Sequence, residues 1–168
     1  MENVLKLLKF TTRNQLPVIL QTEVAECGLA CLAMVASYHG HKVDLGTLRR
    51  RFPISLRGVT LQTLIQIADQ MEFSSRPLRL ELEELDQLQT PTILHWDMNH
   101  FVVLKSVTTH HIVIHDPAQG ERKIPMKEVS KHFTGIALEL TPTPKFEQKD
   151  EVRKIQLSTF WSRMVGLK

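Results

Sequence analysis

Two thiols are the first place to look for covalent chemistry in this chain. Cys27 and Cys31 lie in QTEVAECGLACLAMVASYHG, residues 21–40, and no other cysteine occurs. A thiol is a good nucleophile only as the thiolate, which a helix N-terminus and a neighbouring imidazolium both favour. The apolar run after Glu26 predicts a helix buried on most sides over 22–38, starting at Thr22 or Glu23 and closed by Gly40. Cys27 then falls in the first turn or so and Cys31 one turn deeper, while Gly28 has no side chain to obstruct a substrate carbonyl. Cys27 is the candidate nucleophile and Cys31 a core residue. Side chains four apart on one helix stack on one face, and a disulfide between them would distort it. Both thiols are expected to be reduced, as in the cytoplasm.

The base must come from eight histidines. His100 heads the apolar strand HFVVL, which should form a hairpin with HIVIHD through a turn near 108–110. Paired positions in that hairpin have a constant sum of about 216 to 218, which brings His100 opposite Asp116 within one or two positions. A carboxylate there would fix the imidazole tautomer and stabilise its cation. His39 and His41 flank a helix end, His110 and His111 fall in the hairpin turn and His132 lies in a polar helix, so these five are expected at the surface. His95, five residues from His100 in a continuous strand, would face the other way, and His115 points away from Asp116. No CxxC or HExxH pattern supports zinc. Attack on a carbonyl also needs a donor for the oxyanion. Gln21, six residues before Cys27, could supply its side-chain amide beside the Cys27 backbone N–H.

These side chains need a helix and a hairpin to carry them. Asp44 should cap a short helix ended by Pro53, and Thr60 a third one with apolar residues at helical spacing. PLRLEL, PTILHW, HFVVLKSV, HIVIHD and GIALEL read as strands, a short acidic helix spans 83–88, and KEVSKHF is a helical insertion. Helices first and an antiparallel sheet second make an α+β domain over 1–141. Residues 142–168 read as a charged, proline-bearing linker followed by an amphipathic stretch with Leu157, Phe160, Trp161, Met164 and Val165 on one face. That stretch suits either packing back on the domain or a membrane surface.

With 168 residues, 42% apolar and 23% charged, the chain can bury one core. A net charge of +3 with scattered basic residues, Arg49-Arg50-Arg51 being the single run, argues against nucleic acid. No secretory signal is expected in residues 1–20, and no apolar run is long enough for a membrane span.

Taken together, Gln21, Cys27, His100 and Asp116 resemble a known constellation. QTEVAECGLACLAMVASYHG, LRGVTLQTLIQIA, ILHWDMNHFVVL, HDPAQG and FTGIALEL, spanning roughly 15–141, are similar to the bacteriocin-processing cysteine peptidase domain at the N-terminus of peptidase-containing ABC exporters, most of all those for colicin V and microcins. The resemblance implies a papain-like fold, with Cys27 as nucleophile, His100 as general base, Asp116 orienting it and Gln21 in the oxyanion hole. It implies cleavage of a bacteriocin or microcin precursor after a Gly-Gly or Gly-Ala leader, at the cytoplasmic face of the bacterial inner membrane. The peptidase domain is expected to need no cofactor and no metal. ATP and Mg belong to a nucleotide-binding domain that, with a transmembrane domain, would follow in the same chain. The piece itself is expected to be a monomer and the exporter a homodimer. Two other classes keep the same residues in view: a non-hydrolytic domain that only holds cargo, and another acyl-transfer enzyme such as a transglutaminase.

Overall fold

A computed structural model of the chain describes residues 14–152. Helix α1, Cys27–Tyr38, follows a single 3-10 turn at Val24–Glu26, and every residue from Cys27 to Ala36 is buried. An all-round apolar helix belongs inside a core, and this one lies against the middle of a sheet. After the short strand β1, His41–Lys42, come α2, Leu45–Arg51, and α3, Leu61–Gln70. As the sequence predicts, the Asp44 carboxylate caps α2 through the Thr47 N–H and the Thr60 hydroxyl caps α3 through the Thr63 N–H.

The strands are β2, Phe73–Arg79; β3, Thr92–Trp96; β4, His100–Val107; β5, His111–Asp116; β6, Gly120–Pro125; and β7, Phe133–Pro142. They form one antiparallel sheet in the order β2-β7-β3-β4-β5-β6. Alternation along β4 divides its side chains between two cores. Phe101 and Val103 join α1, α3, Ile93 and Leu138 on one side. Val102 and Leu104 join Trp96, Ile112, Ile114 and Leu85 on the other, roofed by a 3-10 segment, Leu82–Gln87, and the one-turn helix α4, Met126–Val129.

Several elements differ from the sequence reading. The acidic helix is a 3-10 segment, and the insertion is a single turn that ends before His132. Strand β6 escapes the reading because GERKIP is polar: it is a sheet edge that buries only Ile124. Residues 143–152, read as the start of a linker, belong to the fold. Phe146 packs on Phe73 with ring centroids 4.9 Å apart, and β8, Lys149–Asp150, pairs in parallel with β1. The Glu151 carboxylate gathers Arg51, Lys149 and His41. His41, expected at the surface, is thereby buried. Local charge density concealed this return because two of the partners of Glu151, Arg51 and His41, lie on distant elements. The amphipathic stretch near 157–165 lies outside the described residues.

Candidate active site

Cys27 is the first residue of α1, with the 3-10 turn leading into it, so the thiol stands at the positive end of the helix. The glycine after it is there for packing. A Cβ on Gly28 would come within 2.3 Å of Val59 Cγ2 and 3.2 Å of Leu64 Cδ1. The reason offered from sequence, room for a substrate, is thus replaced by the tight seat of α3 and its preceding loop against α1. Cys31 is fully enclosed, and burial first, then the charges of Cys27 and Asp116, push its thiol well up. It is an inert core thiol.

His100 is delivered by the β3–β4 hairpin, where it pairs with Trp96 across a loop whose Asp97 and Met98 take φ of 50° and 64°. His95 is therefore on a separate strand, opposite Phe101, rather than in one continuous strand with His100. In the next hairpin Val103 faces His115 and Leu104 faces Ile114, so Asp116 continues the ladder beside Val102, diagonal to His100. The imidazole Nε2–H donates to Asp116 Oδ1 at 2.8 Å, which leaves Nδ1 uncommitted, and the Cys27 thiol is close enough to favour the ring's cation. Burial works against the imidazolium, but the bond to Asp116, the nearby Cys27 thiol and the charges of both outweigh it and raise the His100 pKa to about 9. Asp116 is 2% exposed; burial favours its neutral form, yet His100, the Ala118 backbone N–H at 2.8 Å and Arg122 at 3.1 Å together hold its pKa below the usual value.

Gln21 reaches the same place from the opposite direction. Its backbone N–H donates to the carbonyl of Pro117, the residue after Asp116, at 2.8 Å. Its side-chain oxygen is buried and takes no hydrogen bond. The strap that carries it is tied a second time, because His115 Nδ1–H donates to the Pro17 carbonyl at 2.8 Å while Nε2 meets Glu121. Of the four residues selected from sequence, Cys27, His100 and Asp116 come together, and the Gln21 backbone is tied to the loop directly after Asp116. Missed were Arg122, whose place diagonal to Asp116 follows only once β6 is recognised, and the pair of Glu26 with Arg49, which no spacing announces. Among the described residues no cluster of His, Cys, Asp and Glu could hold a metal ion. A thiol, an imidazole shared between it and a buried carboxylate, and a glutamine at the helix mouth can together form and discharge an acyl-thioester.

Residues 15–145 match the family model described as Peptidase C39 family. The colicin V secretion/processing ATP-binding protein CvaB of Escherichia coli is 47% identical over 165 residues, which cover 98% of this chain and 24% of that protein. The probable microcin-H47 secretion/processing ATP-binding protein MchF of Escherichia coli is 46% identical, again over 98% and 24%. The chain thus spans about a quarter of the length of these curated relatives. Among solved structures, a double glycine motif protease from an AMS/PCAT transporter, in complex with the leader peptide, has a TM-score of 0.72 and 39% identity over 80% of this chain and 96% of its own. The peptidase domain of Streptococcus ComA, a bi-functional ABC transporter, has a TM-score of 0.70 at 23% identity over 77% and 100%, and supports the fold. The helical half on an antiparallel sheet is the papain-like arrangement expected, and with it the chain belongs to the peptidase C39 family.

Proposed function

We propose that this chain is the cysteine endopeptidase domain of a bacteriocin or microcin exporter, cutting the precursor's leader after a Gly-Gly or Gly-Ala pair. The observation that carries the reading is the imidazole of His100, bonded to buried Asp116 at 2.8 Å and close enough to the Cys27 thiol for each to favour the other's charge. Binding alone requires no such relay, which argues against a domain that merely holds cargo. The double-glycine protease with its leader peptide and the secretion/processing relatives supply the substrate class.

In this reading His100 and Cys27 work as an imidazolium–thiolate pair. The Cys27 sulfur attacks the carbonyl carbon of the second residue of that pair, the last of the leader, forming a C–S bond and an oxyanion. The Gln21 amide and the Cys27 N–H stabilise that oxyanion. His100 then gives its proton to the leaving amine as the C–N bond breaks, and afterwards takes one from the water that releases the leader as a free acid. Asp116 holds the ring and its charge throughout. The domain through residue 152 would carry the chemistry, with the stretch after it leading toward transmembrane and ATP-binding parts, where ATP and Mg would act. The domain would then work at the cytoplasmic face of the inner membrane, as a monomer when isolated and in a homodimeric exporter when joined. No helix of the described residues is long and apolar enough to cross a membrane.

The test is mass spectrometry of the domain mixed with a peptide that joins a double-glycine leader to a few core residues, wild type beside Cys27→Ala. Cleavage directly after the second glycine, lost in the variant, is expected. Cleavage that survives the substitution, or capture of the peptide by both proteins with no cleavage by either, would sink the reading.

A further inference from the structure

The residue before the candidate nucleophile carries a carboxylate that this mechanism does not use. Glu26 is 2% exposed. Its Oε2 accepts from the Thr22 N–H at 3.1 Å, the Thr22 hydroxyl at 2.6 Å and the Glu23 N–H at 3.1 Å. Its Oε1 accepts from Arg49 Nε, and a terminal nitrogen of the same guanidinium donates to the Thr22 hydroxyl at 2.6 Å. Arg49 comes from α2, 23 residues along the chain. The clamp closes the turn that joins Gln21 to Cys27.

An anion in that position works against the thiolate. The Cα atoms of neighbouring residues are about 3.8 Å apart, and a short side chain on each keeps the two charges within roughly 10 Å, the range over which salt screens charge. A like charge so close disfavours ionisation of the thiol. Glu26 stays ionised, because although burial alone would raise its pKa, the bonds from Arg49, Thr22 and Glu23 lower it to about 2. The charged and titratable groups facing this end of α1 are Glu23 in the preceding turn, Arg49 on α2, His100 on β4, Asp116 on β5 with Arg122 against it, and Cys31 within α1. Asp116 is answered by Arg122 and His100, and Glu26 by Arg49. The hydrogen-bonding needs of Glu26 Oε2 are met locally without the arginine, whereas the buried Oε1 accepts from Arg49. The guanidinium also adds charge at one place.

We infer that Arg49 is a positioning residue for Cys27: it holds the Gln21-to-Cys27 turn against α2 and cancels the Glu26 carboxylate that would otherwise oppose the thiolate. Its consequence for turnover rests on the peptidase reading, whereas its effect on the thiol does not. The experiment is alkylation of Cys27 by iodoacetamide as a function of pH, read by peptide mass mapping in wild type, Arg49→Met, Arg49→Lys and Glu26→Gln/Arg49→Met. Circular dichroism confirms that each is folded. In Arg49→Met the midpoint should rise by about one pH unit, with up to ~10-fold less thiolate below it. kcat on a leader peptide should fall in proportion at little change in KM. The double variant, having lost both charges, should return to the wild-type midpoint, and Arg49→Lys should stay close to it. A wild-type midpoint in folded Arg49→Met overturns the inference. So does a shift that persists in the double variant, or a lysine variant that moves as far as the methionine one. If the midpoint shifts as expected while no protein cleaves any leader, the peptidase reading fails and the assignment of Arg49 stands.

Discussion

The two sides of the site are held by different kinds of contact. On the helix side, Glu26 reaches back three and four residues to Glu23 and Thr22, so the turn before Cys27 is largely a local object. On the sheet side, His100 meets Asp116 across 16 residues, through a hairpin whose ladder is interrupted by a register shift between Leu104 and Ser106. A local turn depends on a few side chains, whereas a cross-strand pair depends on register, and a slip of one residue would turn Asp116 to the other face. The candidate nucleophile is therefore held mainly by contacts close in sequence, and the candidate base by the integrity of the sheet.

The largest effect should come from the helix side, where the two cysteines make the contrast plain. Cys27→Ala should abolish peptide cleavage while the urea midpoint stays near wild type. Cys31→Ser should do the reverse, costing about 1–3 kcal/mol for a hydroxyl sealed in the core with turnover per folded molecule retained. A folded but inactive Cys31→Ser would mean that the wrong thiol has been chosen. On the sheet side, Asp116→Asn should lower kcat by about 10²- to 10⁴-fold without unfolding, as loss of an orienting carboxylate does. Arg122→Met, which leaves Asp116 its bonds from His100 and Ala118, should lower kcat by less than ~10-fold, because a partly exposed pair is screened. Equal losses in the two variants would move the orienting role from the carboxylate to the ion pair.

Smaller effects sharpen the same contrast through stability. Gly28→Ala should cost about 1–3 kcal/mol by driving a methyl into Val59, and Val59→Ala should recover part of it, as read from denaturant midpoints of the four combinations. No recovery would mean that backbone strain, not Val59, is the obstacle. The smallest is a pH effect of the sheet side. The His100 pKa is raised in the fold from its ordinary 6.5 to about 9, so its contribution to stability is complete below pH ~6.5 and is lost as pH rises through 9. Wild type should lose that increment between pH 6 and 10, while His100→Ala should lack this component of the slope. Parallel slopes would remove the His100–Asp116 bond as a source of stability.

What could be foreseen divides along the same line. α1, the caps Asp44 and Thr60, the nature of Cys31 and the pairing of His100 with Asp116 all follow from periodicity, capping chemistry and hairpin arithmetic, each of which acts over a short stretch of chain. The His100 pairing was accessible because one hairpin joins the two residues. Strand β6 was hidden because an edge strand needs only one buried residue, and with it went Arg122. His41 was misjudged because its cover, Glu151 and Phe146, arrives from more than a hundred residues away.

Residue types and short-range order thus suffice to single out the candidate side chains and the elements that carry them. Their placement could not be read in the same way: that the Gln21 backbone is tied to the loop after Asp116, that Gly28 sits tightly against Val59, and that Arg49 pairs with Glu26 are facts of tertiary structure. The reason is physical. Hydrogen bonds within a turn and alternation within a strand obey periods written in the chain, but ion pairs and close packing between distant elements depend on distances that only the closed fold sets.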